Sequence, residues 1–259
     1  MSDPTPATYS EIARASRLKV LDLIYKAQTS HIGSNFSCAD ILAVLFEKID
    51  LDKDRFVLSA GWKAAMLYYH LWRKGRITLE ELDSYCQPDS KWIGLAEPVH
   101  KDIPIAGGSM GIGFPGAVGL ALAKKLKGEE GTVYCLMSDG ELQCGTTWES
   151  ALIASKHKLD NLIVIVDDNG FQAMGKTDEI LGAGFPIKNW NGHKCDGHDY
   201  KALETLLSPP PPSENPMPTV ILARTVKGRG VPKWENDNLW HYAQIKEDDY
   251  NYAKQCLNS

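Results

Sequence analysis

Two acidic turns carry the clearest chemistry in this sequence. Ser138-Asp139-Gly140-Glu141 follows the apolar run 133–137, and Asp167-Asp168-Asn169-Gly170 follows the apolar run 162–166, with Asn169 thirty positions after Asp139. Open α/β sheets bind ligands in the crevice at the carboxyl ends of their strands, so the two turns bring carboxylate and amide oxygens to one place. A magnesium ion wants six hard oxygen ligands. Asp139, the Asn169 amide oxygen, a backbone carbonyl just beyond it, two diphosphate oxygens and a water make such a set, and Gly140 lets backbone approach a phosphate with no Cβ in the way. Singly, Asp-Gly and Asn-Gly are ordinary turn dipeptides. Their placement after two buried strands separated by one helix points to a metal-diphosphate site.

Two other glycine motifs compete. Gly111-Ile112-Gly113-Phe114-Pro115-Gly116 fits the dinucleotide fingerprint G-x-G-x-x-G, but the only strand available before it, 103–106, is short and broken by Pro104. Gly170-Phe171-Gln172-Ala173-Met174-Gly175-Lys176-Thr177 matches the P-loop pattern and follows a good strand. A P-loop must open a helix whose N-terminal amides hold phosphate, and here the chain soon meets Gly182, Gly184 and Pro186. The strand at 219–223 runs into Arg224 and offers no Walker-B carboxylate.

The elements that must position these residues follow from pattern. Thr8-Tyr9-Ser10-Glu11 is a capping box before Ile12, Ala15, Leu18, Leu21 and Tyr25, which predicts an amphipathic helix. Ser37 to Asp40 and Thr78 to Glu81 read as two more helix starts, and 55–59 as a short buried strand. From Gly107 the chain alternates: helix 116–126, strand 133–137, helix 147–157, strand 162–166, helix 200–207, strand 219–223. Continuous apolar runs without polar alternation predict strands buried on both faces, hence an α/β fold with a mostly parallel sheet flanked by helices on both faces. The stretch Ser208-Pro209-Pro210-Pro211-Pro212-Ser213 is a stiff surface connection within one domain, 1–259, with an N-terminal helical segment.

With these elements in order, the sequence resembles the thiamine diphosphate enzymes and, within them, the N-terminal, diphosphate-binding half of transketolase. The segment from Ser138 to Gly170 is similar to the family's G-D-G…N motif. Ser30-His31-Ile32-Gly33-Ser34 is similar to its G-H-P-G segment, Asp54 to Ser59 to its D-R-F-V-L-S strand, and 107–113 to its T-G-S-L-G-Q-G loop. Asp196-Gly197-His198-Asp199 and 225–230 with Trp240-His241 complete a resemblance that covers nearly the whole chain. It implies Asp139, Asn169 and the Phe171 carbonyl as ligands of magnesium, or of calcium in its place. Gly140, the loop Gly108-Ser109-Met110, Trp62, Glu149 and His241 become cofactor contacts, and His31 and His241 the substrate-side histidines that exchange protons. Lys227 and Arg229 could attract a phosphorylated ligand, although a glycine-flanked basic loop is more often exposed.

The resemblance also implies transfer of a two-carbon ketol unit from a ketose phosphate to an aldose phosphate, as in the pentose phosphate pathway. The family's pyrimidine-binding domain lies beyond the similarity, so a separately encoded C-terminal partner subunit is expected, with self-association into a dimer core and two copies of each chain. Departures from the pattern are Gly61-Trp62-Lys63 for G-H-A, Ala96-Glu97-Pro98 for G-H-P with His100 close enough to substitute, Cys144 for a glutamate, and Tyr242 after His241. They leave open another thiamine-dependent carboligation, and a subunit that only binds its partner.

Composition sets the outer limits. Hydrophobic residues at 43% and charged residues at 24% describe an ordinary globular chain, and a net charge of -5 supplies no basic excess for a nucleic-acid backbone. No apolar run approaches the ~20 residues of a membrane span, and Met1 to Pro6 shows no secretory signal, so a cytoplasmic protein is expected. Six cysteines without a C-x-x-C pair predict neither a disulfide scaffold nor structural zinc.

Overall fold

Alternate residues of each central strand face opposite hydrophobic layers, and this fixes the architecture of the computed structural model, which describes residues 7–182, 184–185, 188–211 and 213–259. Met1–Pro6, Pro186 and Pro212, used in the sequence reading, lie outside the described residues. The chain runs α1 (Tyr9–Ala27), α2 (Ile32–Ser37), α3 (Ala39–Lys48), β1 (Arg55–Leu58), α4 (Ala64–Arg73), α5 (Leu79–Asp83), α6 (Gly113–Lys127) and β2 (Val133–Ser138). It continues through α7 (Gly145–Lys156), β3 (Leu162–Asp168), a small hairpin of β4 (Phe171–Gln172) and β5 (Gly175–Lys176), α8 (Thr177–Ile180), β6 (Asn191–Asp196), α9 (Tyr200–Leu206), β7 (Thr219–Arg224) and α10 (Glu247–Asn258). Five strands form one sheet in the order β1-β2-β3-β7-β6, and every pairing is parallel.

Phe56, Leu58, Tyr134, Leu136, Ile163 and Ile165 pack on the layer of α1, α3 and α4. Val57, Val133, Cys135, Met137, Leu162 and Val164 pack on α6 and α7. Both faces are dry, as the uninterrupted apolar runs require, and each fully buried aliphatic side chain contributes roughly 1.5–3 kcal/mol. The polyproline connection leads into β7, which inserts between β3 and β6, so the strand after it does rejoin the same sheet.

Thr8 and Thr78 form the expected capping boxes with Glu11 and Glu81. The one at Ser37 is a correction: α3 starts at Ala39 with Cys38 as an N-cap that makes no side-chain cap. The Ser37 hydroxyl instead donates to Asp167, with the Ser34 carbonyl also within reach, and Asp40 pairs with Arg17 at 2.5 Å, because buried charges elsewhere compete for both side chains. Residues 103–106 form no strand. Edge strand β6 went unread because it is polar and largely exposed, as edge strands that resist mispairing are.

Candidate functional site

The carboxyl ends of β1, β2, β3 and β7 converge on one cavity of about 300 Å³. β1 delivers the Gly61-Trp62-Lys63 turn, β2 delivers Asp139, β3 delivers Asn169 and the hairpin after it, and β7 delivers Thr225 to Lys227. Of the sequence-derived candidates, His31, Trp62, Gly108, Met110, Gly140, Asn169, Phe171 and His241 line it. Asp139 is buried directly behind Gly140. Ser109 is exposed and outside the lining, and Glu149 stands exposed on α7, also outside the lining.

The glycine loop reaches the site by close backbone approach. Gly61 N–H donates to the Gly107 carbonyl at 2.8 Å, and a Cβ on Gly61 would lie 2.1 Å from that oxygen. Glu141, read only as part of a turn, is the fully buried carboxylate that ties this region together. It accepts the Ser59 hydroxyl, Gly111 N–H at 3.3 Å and Ser138 N–H at 2.9 Å, and Ser138 and Glu141 form a capping box over the one-turn segment Asp139–Gln143. Burial pushes the Glu141 carboxyl up.

At the turn after β2, Asp139 Oδ1 accepts Gly140 N–H at 3.0 Å, and Oδ2 accepts Gly170 N–H at 2.7 Å and the Thr177 hydroxyl at 3.2 Å. Asn169 Oδ1 accepts Phe171 N–H at 3.1 Å. Burial first, then Asp167 and Asp168, push the Asp139 carboxyl up to about 7. This surplus of buried negative charge is what a divalent cation relieves, and the hard-oxygen donors suit magnesium or calcium. Among the described residues no three His, Cys, Asp or Glu side chains form a cluster that could hold a metal, so a carbonyl, the Asn169 amide and ligand oxygens must complete any shell here. The Gln172 amide Nε2, at the cavity wall beside Gly140, is buried without a hydrogen-bond partner.

A carboxyl raised above its unfolded value binds its proton more tightly in the folded chain. The metal-free protein is therefore expected to lose stability as pH rises from 3.8 to about 7. Thermal unfolding in chelator at pH 5 and pH 8 measures this, and the loss should be smaller in Asp139→Asn.

On the opposite wall, His31 has φ +71°, a conformation that ordinary residues adopt only where surrounding contacts enforce it. Its ring lies 5.2 Å from that of His241 and 5.5 Å from that of Tyr242, and its backbone N–H donates to the His241 carbonyl. Burial, then Lys227, lowers His31 to about 4 and His241 to about 3, so both imidazoles are neutral at physiological pH. Asn35, fully buried, donates its amide to the carbonyls of His31 and Trp62 and fixes one segment against the other.

Two sequence expectations are corrected, and one further residue gains a role. Lys227 is not on an exposed loop: it is 1% exposed and lines the cavity, whereas Arg229 turns away toward Glu235 at 3.8 Å. His100 does not reach the cavity, because its Nδ1 accepts Asp102 N–H. Lys63, noted only as a departure, is fully buried in an ion pair with Asp167, which also accepts the hydroxyls of Ser37 and Thr225. The P-loop match closes a hairpin followed by the single turn of α8, and its Lys176 is an exposed partner of Glu179, so no phosphate cradle forms.

Residues 8–258 match the family described as transketolase, thiamine diphosphate binding domain. The chain is 34% identical to one of the subunits of the apulose-4-phosphate transketolase from Actinobacillus succinogenes, over 98% of this chain and 99% of that one. It is 31% identical to the 6-deoxy-6-sulfo-D-fructose transketolase subunit SqwG of a Clostridium species, over 93% of each. The structure superposes on transketolase from Campylobacter jejuni with a TM-score of 0.89 at 30% identity, covering 96% of this chain and 42% of that one. On these matches the chain belongs to the transketolase family and carries its thiamine diphosphate-binding domain.

Proposed function

We propose that this chain is the N-terminal subunit of a split transketolase, a single diphosphate-binding domain over 1–259 that works with a C-terminal partner carrying the pyrimidine-binding domain. The observation that carries this reading is the convergence of Gly140 and Asn169 with His31, His241 and Lys227 on one cavity at the strand ends, with Asp139 buried beside Gly140. The relatives named as subunits, matched over nearly their full length, support it.

Asp139 Oδ, Asn169 Oδ1 and the Phe171 carbonyl would hold magnesium, or calcium, and Gly140 with Gly108 and Met110 would line the diphosphate. Bound there, thiamine diphosphate supplies the carbon nucleophile that breaks and remakes the bond to a two-carbon ketol unit. His31 and His241 face the substrate, where they hold or exchange the protons at its hydroxyl and carbonyl oxygens. The substrates are a ketose phosphate and an aldose phosphate.

An apolar rim supports the partner reading. Met110, Met174, Leu239 and Tyr242 stand 42–74% exposed near the mouth, and Ile112, Trp148, Leu152 and Ile153 expose a second apolar surface beside Glu149. Exposed apolar area on this scale marks interaction surfaces. The first suits the C-terminal partner and the second a further copy of this chain, giving two copies of each. No helix among the described residues is long and apolar enough to cross a membrane.

Calorimetric titration with thiamine diphosphate, in magnesium and in chelator, with the partner present, tests the reading. Saturable binding that needs the metal, together with ketol transfer by the reconstituted pair, is expected; absence of binding under every condition would make this a subunit that only binds its partner. Trp62 in the lining, where the family has a histidine, favours one second reading, a different thiamine-dependent carboligation. Assay of the pair against 2-oxo acids separates the two.

A further inference from the structure

The geometry points to Lys227 as a positioning residue that locks His241 in one tautomer, with its proton on Nε2 toward the cavity, so that His241 acts as a fixed hydrogen-bond donor while His31 remains able to exchange a proton.

The argument starts at the lysine. Lys227 Nζ lies 2.9 Å from Asn238 Oδ1 and 2.9 Å from His241 Nδ1. The Asn238 amide is not free to turn, because its Nδ2 donates to the Ala173 carbonyl at 3.2 Å. Its Oδ1 therefore faces the lysine, which must donate to it. An ammonium carries three donors and no acceptor, so the contact with His241 runs the same way: Nζ donates and Nδ1 accepts. A neutral imidazole with an unprotonated Nδ1 carries its proton on Nε2. No protein partner meets that Nε2 among the described residues, and His241 lines the cavity. Burial and Lys63 bring Lys227 down to about 8, which leaves the ammonium as the major form at pH 7.

His31 lacks such a lock. Its Nδ1 is 2.8 Å from the Ser30 hydroxyl, which donates or accepts as its rotor turns, so either ring nitrogen can hold the proton. Two histidines whose rings are 5.2 Å apart thus have different capacities. His241 presents a polarised N–H backed by a buried cation, the arrangement that stabilises a developing oxygen anion. His31 can give up or take a proton.

The surrounding backbone holds Lys227 in place. Val226 N–H donates to His198 Nε2 at 2.9 Å, and His198 Nδ1 in turn meets Asp40 at 2.7 Å. Gly228 N–H donates to the Gly33 carbonyl, and Asn236 N–H to the Lys227 carbonyl, both at 2.9 Å. The lysine stem lies against Gly33, where a Cβ would be 3.1 Å from Lys227 Cγ. The clamp therefore spans α2, α3, the turn after β6 and the loop after β7.

The catalytic meaning of this lock rests on the transketolase reading; the lock itself does not. The test is nitrogen NMR of the full chain carrying ring-labelled histidine at pH 7, with His241 assigned from the His241→Gln variant. The expected spectrum shows one neutral tautomer of His241, Nε2 protonated and Nδ1 bare, and a mixture of tautomers in Lys227→Met. A wild-type His241 protonated on Nδ1, or an unchanged tautomer in a folded Lys227→Met, overturns the proposal. The wild-type spectrum decides alone where that variant does not fold. Because no cofactor is added, failure of thiamine diphosphate binding and failure of the lock are read separately.

Discussion

Replacing Lys63 by methionine is expected to lower folding stability by about 3–5 kcal/mol, because removal of one partner leaves a buried charge without compensation. Lys63 and Asp167 are both fully shielded from solvent. The hydroxyls of Ser37 and Thr225 still donate to Asp167 in the variant, but neutral donors do not replace a cation. The companion result is more specific. The double variant Lys63→Met, Asp167→Asn removes both charges and should recover most of the loss, since a buried pair exchanged as a unit is often close to neutral. Urea unfolding of the wild type, both single variants and the double variant measures the coupling. A Lys63→Met protein within 1 kcal/mol of wild type would show that water or a shifted side chain reaches Asp167 and that the pair is not a structural centre. The pair lies where segments that supply the cavity meet: Lys63 adjoins Trp62, Asp167 is two residues from Asn169, and Thr225 two from Lys227. Loss of the pair should therefore also loosen the site in variants that remain folded.

How far such features could be foreseen depends on whether their cause is local. The runs that became β2 and β3 were legible because strands covered on both faces need unbroken apolar sequence. Helix α4 was not, for the same reason turned around: Ala64 to Leu71 is buried on every side, so no 3.6-residue stripe stands out. Asp139 and Asn169 were legible as a pair because parallel strands align their carboxyl ends, which the register Ser138 to Asp167 confirms. Glu141 had a local signal, the same capping-box spacing that marked Thr8 and Thr78, but it sat inside a turn already given to metal binding. Ser37 shows the reverse, a correct motif overridden by a buried carboxylate far away in sequence. Lys63 and Lys227 had no local signal. A basic residue in a glycine-containing loop suggests exposure, and only the fold brings Gly33 against the Lys227 stem and Asp167 against Lys63.

Asp139 offers the largest functional effect, and its two consequences should run in opposite directions. If Asp139 is the charged ligand of the metal shell, Asp139→Asn is expected to weaken magnesium-dependent thiamine diphosphate binding by at least about a hundredfold, since even the partners that merely orient metal ligands are worth 10–100-fold. The metal-free fold should tolerate the same change. The asparagine keeps the size of the side chain and one acceptor for Gly140 or Gly170 N–H, at a cost of roughly 1 kcal/mol for the bond it loses. Against that, it removes a carboxylate that burial and two neighbouring aspartates already hold near pH 7. At pH 8 the variant should therefore unfold at or above the wild-type temperature in chelator, while its calorimetric titration with thiamine diphosphate and magnesium loses the tight phase. Glu149→Gln is the control: exposed on α7 and outside the cavity, it should leave binding by this chain unchanged. Retention of wild-type affinity in Asp139→Asn would remove Asp139 from the metal shell, and a large loss of metal-free stability would mean that the buried charge is held by the fold itself and is not waiting for a cation.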